Sequence, residues 1–318
     1  MEYNYHRLQQ LARLESEAGW DLAVIGGGAS GLGVALDAVS RGYKVVLLED
    51  CDFTKGTSSR STKLIHGGVR YLAQGNFLLV IEALKERGLL AVNAPHLFRN
   101  QTFIIPIYSW WEGYYYLAGM KIYDLLAGRL GLGPSRKIGR QQVMQRLPLL
   151  RREGLSGGVT YHDGQFDDSR LGINLMQTII DRGGVAVNYC RVEDFIKNTE
   201  GKITGVKARD RISGKDLTIH ARVVVNAGGV FTDEILRLDR PGAASTIQPS
   251  QGIHLVLDRS FLGGDDAVMI PKTDDGRVLF LVPWQGKVIA GTTDTPVNTH
   301  SLEPRALDEE IDFILQTA

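Results

Sequence analysis

The segment from Asp21 to Glu49, DLAVIGGGASGLGVALDAVSRGYKVVLLE, constrains the fold more than any other part of the chain. Four apolar residues, Leu22, Ala23, Val24 and Ile25, run into Gly26-Gly27-Gly28-Ala29-Ser30-Gly31, which satisfies G-x-G-x-x-G. In that pattern Gly26 permits a tight turn, Gly28 admits a pyrophosphate close to the backbone, and Gly31 lets helix and strand pack closely. A helix opening at Ala29 and Ser30 points its first N–H groups at the phosphates. Gly42 ends that helix, and Val45-Val46-Leu47-Leu48 forms a second strand. Glu49 closes it, where a carboxylate accepts from ribose hydroxyls. Triplet, helix, strand and terminal acid in register predict a βαβ unit that holds a dinucleotide.

The ribose acid suits NAD and FAD equally. The next loop, with Thr57, Ser58, Ser59 and Ser61 beside Lys55 and Arg60, offers donors to pyrophosphate or ribityl oxygens. That leans toward FAD, although a solvated Ser/Thr loop explains the same composition. The loop runs into Lys63-Leu64-Ile65-His66-Gly67-Gly68-Val69-Arg70-Tyr71-Leu72. An imidazole at His66 suits a base near neutral pH. Arg70, four residues on, can clamp a phosphate bidentately, and a helical segment would put both on one face. Tyr71 can hydrogen-bond a substrate. Taken alone, a surface His and Arg is the simpler reading of this segment.

The chain has 318 residues, with Lys plus Arg equal to Asp plus Glu at 36 each, so no overall field steers it toward nucleic acid. Cys51 and Cys190 have no metal or redox spacing, which excludes a disulfide framework and favours a reducing compartment. The N-terminal residues hold no signal-peptide core. No run approaches the ~20 apolar residues that span a bilayer, so membrane contact would be peripheral. No metal site emerges, since His162-Asp163 and Asp265-Asp266 lack partners at ligand spacing.

Residues 6–18 read as a leading helix. Phe77 to Asn93 has helical periodicity, with Leu78, Ile81, Leu84, Leu89 and Leu90 as its buried stripe. Trp110 to Leu126 is an aromatic helix. Core packing is the favoured reading, with a membrane surface as the alternative. Gly157 to Gly164 reads as strand and turn, and Asp168 caps a helix to Asp181. Leu217–His220 and Val223–Val225 read as two strands, the second ending at Asn226-Ala227-Gly228-Gly229, where Gly228 allows close approach of a cofactor. From Ser245 onward, strands and turns alternate as in an antiparallel sheet.

The blocks VIGGGASGLGVALDAVSRG, TSSRSTKLIHGGVRYL, YHDGQFDDSRL, VVVNAGGVFTDEI, PSQGIHLVLD and VPWQGKVIAGTTDTP stand in this order from about residue 20 to 300. In them the chain resembles the FAD-dependent glycerol-3-phosphate dehydrogenases, within the glycine/D-amino-acid oxidase-like flavoproteins. The resemblance implies an α/β fold: a Rossmann-like FAD-binding domain of the D-amino-acid oxidase type, interleaved with an antiparallel-sheet substrate domain. The expected segments are 1–19 (leading helix), 20–100 and 161–240 (FAD-binding), and 101–160 and 241–318 (substrate). Family members run well beyond residue 318, so the chain is expected to be a fragment that stops before the closing flavin strand and a helical domain.

By the same resemblance, Val192 holds the adenine edge through its backbone, and Ala227 and Gly228 border FAD. His66, Arg70 and Tyr71 match the family's HGG-x-RY motif and face the substrate. His254 matches a second substrate-side histidine, with a strand histidine bonded to a backbone partner as the alternative. Thr293 matches a motif near the site, with a hairpin turn as the alternative. Relatives often carry a basic residue where Gln251 stands. The implied reaction oxidises glycerol 3-phosphate to dihydroxyacetone phosphate. Its electrons pass to quinone, and the enzyme is attached peripherally to the cytoplasmic face of the inner membrane. A homodimer is among the expected forms. An oxygen-using flavin oxidase for another small polar substrate and a flavin-binding remnant without turnover are the competing readings.

Overall fold

The computed structural model describes residues 5–273 and 276–318; residues 1–4 of the expected leading segment lie outside them. The chain divides into two compact units, 1–61 with 168–249 and 297–303, and 62–167 with 250–296 and 304–318. Residues 62–100, expected with the nucleotide-binding segments, therefore belong to the second unit.

In the first unit, the strands Val185–Val187, Val45–Leu48, Trp20–Ile25 and Asp216–Asn226 lie side by side in that order, all parallel. The two central strands are apolar on both faces because both faces are covered. Val24, Val45 and Leu47 pack with Leu32, Ala35 and Val39 of the helix Ala29–Ser40 and with Ile179 and Ile180 of the helix Asp168–Asp181. Ala23, Ile25, Val46 and Leu48 point the other way, toward Leu14 of the helix Arg7–Ser16 and a meander of strands Cys190–Lys197 and Ile203–Asp210. The two strands expected at Leu217–His220 and Val223–Val225 are one. The front of Asp216–Asn226 pairs antiparallel with Ile203–Asp210, and its back half pairs parallel with Trp20–Ile25. No glycine or proline interrupts it, so nothing forces a break.

The second unit is built on a sheet with the order His254–Asp258, Lys287–Gly291, Leu279–Trp284, Ala267–Ile270, Phe98–Ile107, Gly157–Phe166 and Leu64–Ile65; Arg136–Gly139 also pairs with Gly157–Phe166. Its neighbours are antiparallel except Ala267–Ile270 against Phe98–Ile107, which is parallel. The expected turn near Gly164 is absent, and the strand runs on to Phe166. Phe103, Ile105 and Ile107 face the helices Phe77–Asn93 and Glu112–Ala127, while Ile104 faces Val143, Leu147 and Ile314.

The buried stripe of Phe77–Asn93 is Val80, Leu84, Arg87 and Gly88, so Leu84 alone of the expected positions is fully buried and Leu78 is 77% exposed. The i to i+4 rule picks out a face, but a buried arginine is invisible to apolar periodicity. The aromatic helix is not packed as a whole. Met120, Tyr123 and Ala127 are buried, whereas Trp110, Trp111, Tyr114, Tyr115 and Leu125 are exposed. No helix among the described residues is long and apolar enough to cross a membrane.

Candidate active site

In the first unit, Gly26 adopts φ 111° and a Cβ at Gly31 would lie 1.9 Å from the Gly26 carbonyl oxygen. Both expected glycine roles, turn and close packing, are thus met. Gly28 stands at the helix N-cap and offers no side chain to the first-turn N–H groups, which have no carbonyl one turn earlier. Ser58 Oγ accepts the Ala29 N–H at 2.9 Å. The Glu49 carboxylate accepts from the Gly27 N–H at 2.6 Å and the Cys51 N–H at 2.8 Å. Burial raises its pKa, and those two N–H groups partly offset the effect.

The rest of the expected cofactor set is placed less uniformly. Thr57 is exposed. Ser59 donates to the Gly56 carbonyl at 3.4 Å. Ser61, expected as a donor to the cofactor, instead gives its hydroxyl and its N–H to Asp168 at 2.7 and 3.1 Å. Asp168 opens its helix and also accepts the Ser169 N–H at 2.7 Å, so the capping carboxylate draws the serine to itself. Ala227 bonds the Ile25 carbonyl at 2.8 Å. At Gly228, a Cβ would lie 2.4 Å from the end of the Ile235 side chain, which would have to move to admit it. Val192 is buried opposite Ala208, just before a bulge.

In the second unit, the strand Leu64–Ile65 delivers His66 to a turn. The helix Val69–Ala73 begins after it, with Gly68 as N-cap at φ 72°. His66 and Arg70 therefore do not share a helix face, because the left-handed Gly68 turns the chain between them. His66, Arg70 and Tyr71 are all exposed, and among the described residues Arg70 has no ion-pair partner. The Gly68 N–H donates to His66 Nδ1 at 3.0 Å. With that lone pair occupied, a neutral His66 carries its proton on Nε2 and presents a donor.

Three neighbouring strands place His254 opposite Gly291, and Gly291 opposite Phe280. The His66 ring lies 6.4 Å from the Phe280 ring. Thr62 shares a 2.8 Å hydrogen bond with His254 Nε2. The sheet thus gathers Thr62, His66, Phe280 and His254 at one corner.

Thr293 does not join them as a substrate contact. It is 2% exposed, donates to Glu310 at 2.8 Å and accepts the Ile253 N–H at 2.9 Å. Glu310 also takes Gln251, Thr295 and the Leu307 N–H. Burial works to raise its pKa, but these donors lower it overall. Gln251 is therefore committed to a carboxylate, and Glu310 is the residue that sequence patterning missed. A single polar side chain in a helix carries no local sign that three distant side chains converge on it.

A second omission lies behind His66. Tyr123, Asp163 and Arg87 form a buried chain of hydrogen bonds that reaches the Gly67 N–H. The clue available was Asp163 inside YHDGQFDDSRL, an acid in an otherwise buried strand.

A model of the family described as DAO, FAD dependent oxidoreductase, matches residues 21–318. This chain belongs to the FAD-dependent oxidoreductase family. It is 41% identical over 322 residues to the mitochondrial glycerol-3-phosphate dehydrogenase of Homo sapiens, a match over 97% of this chain and 44% of that protein. Among solved structures it is similar to the glycerol-3-phosphate dehydrogenase of Bacillus halodurans complexed with FAD, with TM-score 0.79 and 36% identity over 100% of this chain and 55% of the other. An L-α-glycerophosphate oxidase of Mycoplasma pneumoniae with FAD bound shares the fold at TM-score 0.69 and 15% identity, over 95% of this chain and 78% of that one. The FAD-dependent oxidoreductase thus spans less than half the length of the human relative that it matches.

Proposed function

We propose that this chain supplies the FAD-binding and substrate-side residues of an FAD-dependent glycerol-3-phosphate dehydrogenase, oxidising sn-glycerol 3-phosphate to dihydroxyacetone phosphate. The observation that carries the reading is that one chain holds both the Gly26–Gly31 turn and the exposed His66, Arg70 and Tyr71. Its identity to enzymes of that name supports it.

The residues present fit a dinucleotide. Gly28 leaves the helix N-terminus uncapped by its own side chain, so the N–H groups of Ser30 and Gly31 are free of intrahelical partners. Glu49 offers acceptor oxygens at the end of the second strand. FAD, when bound, supplies the two-electron acceptor for the hydrogen on the substrate carbon. Arg70 anchors the phosphate as a bidentate donor. Tyr71 hydrogen-bonds the substrate, and His254, held by Thr62, lines the same corner. In the state described, His66 donates from Nε2. To take the hydroxyl proton it must leave the Gly68 N–H, which ties proton transfer to a movement of the ring. We assign quinone as the acceptor and the cytoplasmic face of the inner membrane as the location. The exposed Trp110, Trp111, Tyr114 and Tyr115 suit an interfacial contact.

An anaerobic visible spectrum of the purified chain, before and after adding glycerol 3-phosphate, tests the reading. Bleaching of a flavin band by the phosphorylated substrate and not by glycerol is expected. A bound flavin that stays oxidised rejects the substrate. Peroxide release in air, with no turnover of a quinone analogue, would replace quinone by oxygen. His66→Ala should keep FAD bound and slow its reduction by about a hundredfold or more; unchanged reduction removes His66 from the proton transfer.

A further inference from the structure

The turn that carries His66 is held from beneath. Tyr123, on the helix Glu112–Ala127, accepts the Gly67 N–H at 2.6 Å through its hydroxyl oxygen. The same hydroxyl donates to Asp163, whose two oxygens each lie 2.9 Å away. Asp163 also takes Arg87 Nη1 at 2.7 Å. Arg87 directs its other terminal N–H groups to the carbonyls of His162 and Leu130, each at 3.3 Å. All three side chains are essentially inaccessible to water.

The geometry of the turn depends on this chain of bonds. A Cβ at Gly67 would lie 2.6 Å from the Tyr123 hydroxyl and 2.4 Å from Leu84, so only glycine lets the hydroxyl reach the amide. With Gly67 pinned, Gly68 enters its left-handed conformation and its N–H points at His66 Nδ1. Burial and the Asp163 charge push the Tyr123 pKa well up, so the hydroxyl keeps the proton it gives to Asp163. A buried ion pair is poor evidence of added stability, because apolar residues of similar volume often serve as well. Its position behind the His66 turn gives it another use.

We propose that Arg87, Asp163 and Tyr123 are positioning residues that set the orientation and tautomer of His66 through the backbone of Gly67 and Gly68. The proposal rests on His66 being a substrate-side group, and its test separates the two ideas. Side-chain nitrogen spectra of the 318-residue chain report which imidazole nitrogen carries the proton. Neutral His66 should appear as the Nε2–H tautomer. Tyr123→Phe, which removes only the hydroxyl, should shift His66 toward a mixture of tautomers, and Asp163→Asn should move it in the same direction. Tyr161→Phe is the control. Tyr161 is equally buried, but its hydroxyl meets the Met269 sulfur at 3.1 Å and lies outside the chain of bonds.

If Tyr123→Phe leaves the tautomer unchanged, or Tyr161→Phe alters it as much, the proposal is overturned. If Asp163→Asn fails to fold, the Tyr123 and Tyr161 pair still decides the matter. With FAD bound, Tyr123→Phe should also change the rate of flavin reduction by glycerol 3-phosphate, because a mixture of tautomers alters the fraction of His66 whose Nε2 lone pair can take the hydroxyl proton. An altered tautomer with unchanged reduction would retain the positioning role and reject His66 as a substrate-side group.

Discussion

Two glycine turns, Gly26–Gly31 and His66–Gly68, illustrate two ways of fixing a backbone. In the first, the steric constraint is main chain, and two side chains, Glu49 and Ser58, each accept one N–H. Gly31 rests on the Gly26 carbonyl oxygen, and the donors come from the start of the helix that follows. In the second, neighbouring backbone does not suffice. The Gly67 N–H needs a hydroxyl 56 residues away, and that hydroxyl needs a carboxylate a further 40 residues on. The first turn rests mostly on its own backbone, with single acceptors from Glu49 and Ser58, whereas the second depends on a connected chain of buried side chains.

The largest effect that separates the turns is expected from Asp163→Ala. It leaves the Arg87 guanidinium buried without its counter-charge, which costs about 3–5 kcal/mol. A denaturant titration should show the loss as a fall in midpoint. The double replacement Asp163→Leu with Arg87→Met removes both charges, and its stability should return to near that of the parent. His66 should still lose its single tautomer in that variant. If instead the double variant regains both stability and tautomer, the pair is a packing element and the comparison fails.

A smaller effect, of opposite acid dependence, is expected in the first unit. Burial works to raise the Asp210 pKa, but hydrogen bonds from Arg7, Ser213 and the Ile212 N–H outweigh it and bring the pKa from 3.8 to about 2. A folded-state pKa below that of the unfolded chain means stability that is full above about pH 4 and lost as pH falls through about 2. The contribution near neutrality is about 2 kcal/mol. Asp163 runs the other way, since burial raises its pKa despite Arg87, and acid favours its native form. Asp210→Ala should therefore be less stable than the parent at pH 7, with the gap narrowing toward pH 2. A gap that does not depend on pH would assign the effect to the lost side chain rather than to its charge.

The contrast also explains what could be read in advance. The strands Trp20–Ile25 and Val45–Leu48, the helix Phe77–Asn93 and the glycine roles at Gly26 and Gly31 follow from local periodicity and steric demand. The alternation of strands and turns expected from Ser245 onward is met by strands such as Leu279–Trp284 and Lys287–Gly291. Residues fixed by remote partners were not legible. Thr293 sits in a run of threonines that fits a ligand contact as well as a turn, and only the fold brings Glu310 to its hydroxyl. Ser61 looked like its neighbours until Asp168 took its hydroxyl. Arg87 broke the apolar stripe of its helix because its partner lies on a strand 76 residues away. His66 and Arg70 were spaced for one helix face, and the left-handed Gly68 that separates them has meaning only beside Tyr123.

The smallest effect should come from the first turn itself. Ser58 Oγ accepts the Ala29 N–H, doing from another segment what Gly28 cannot do at the N-cap. Ser58→Ala removes that acceptor and leaves the amide open to water, so the loss resembles that of a missing helix cap, about 1 kcal/mol. The other constraints on this turn, Gly31 against the Gly26 carbonyl and the Glu49 carboxylate on the Gly27 N–H, stay in place. The change should therefore lower the unfolding midpoint slightly without loss of cooperativity. A loss as large as that of Asp163→Ala would mean that this turn, too, depends on a side chain borrowed from elsewhere, and the distinction between a self-sufficient turn and a supported one would no longer hold.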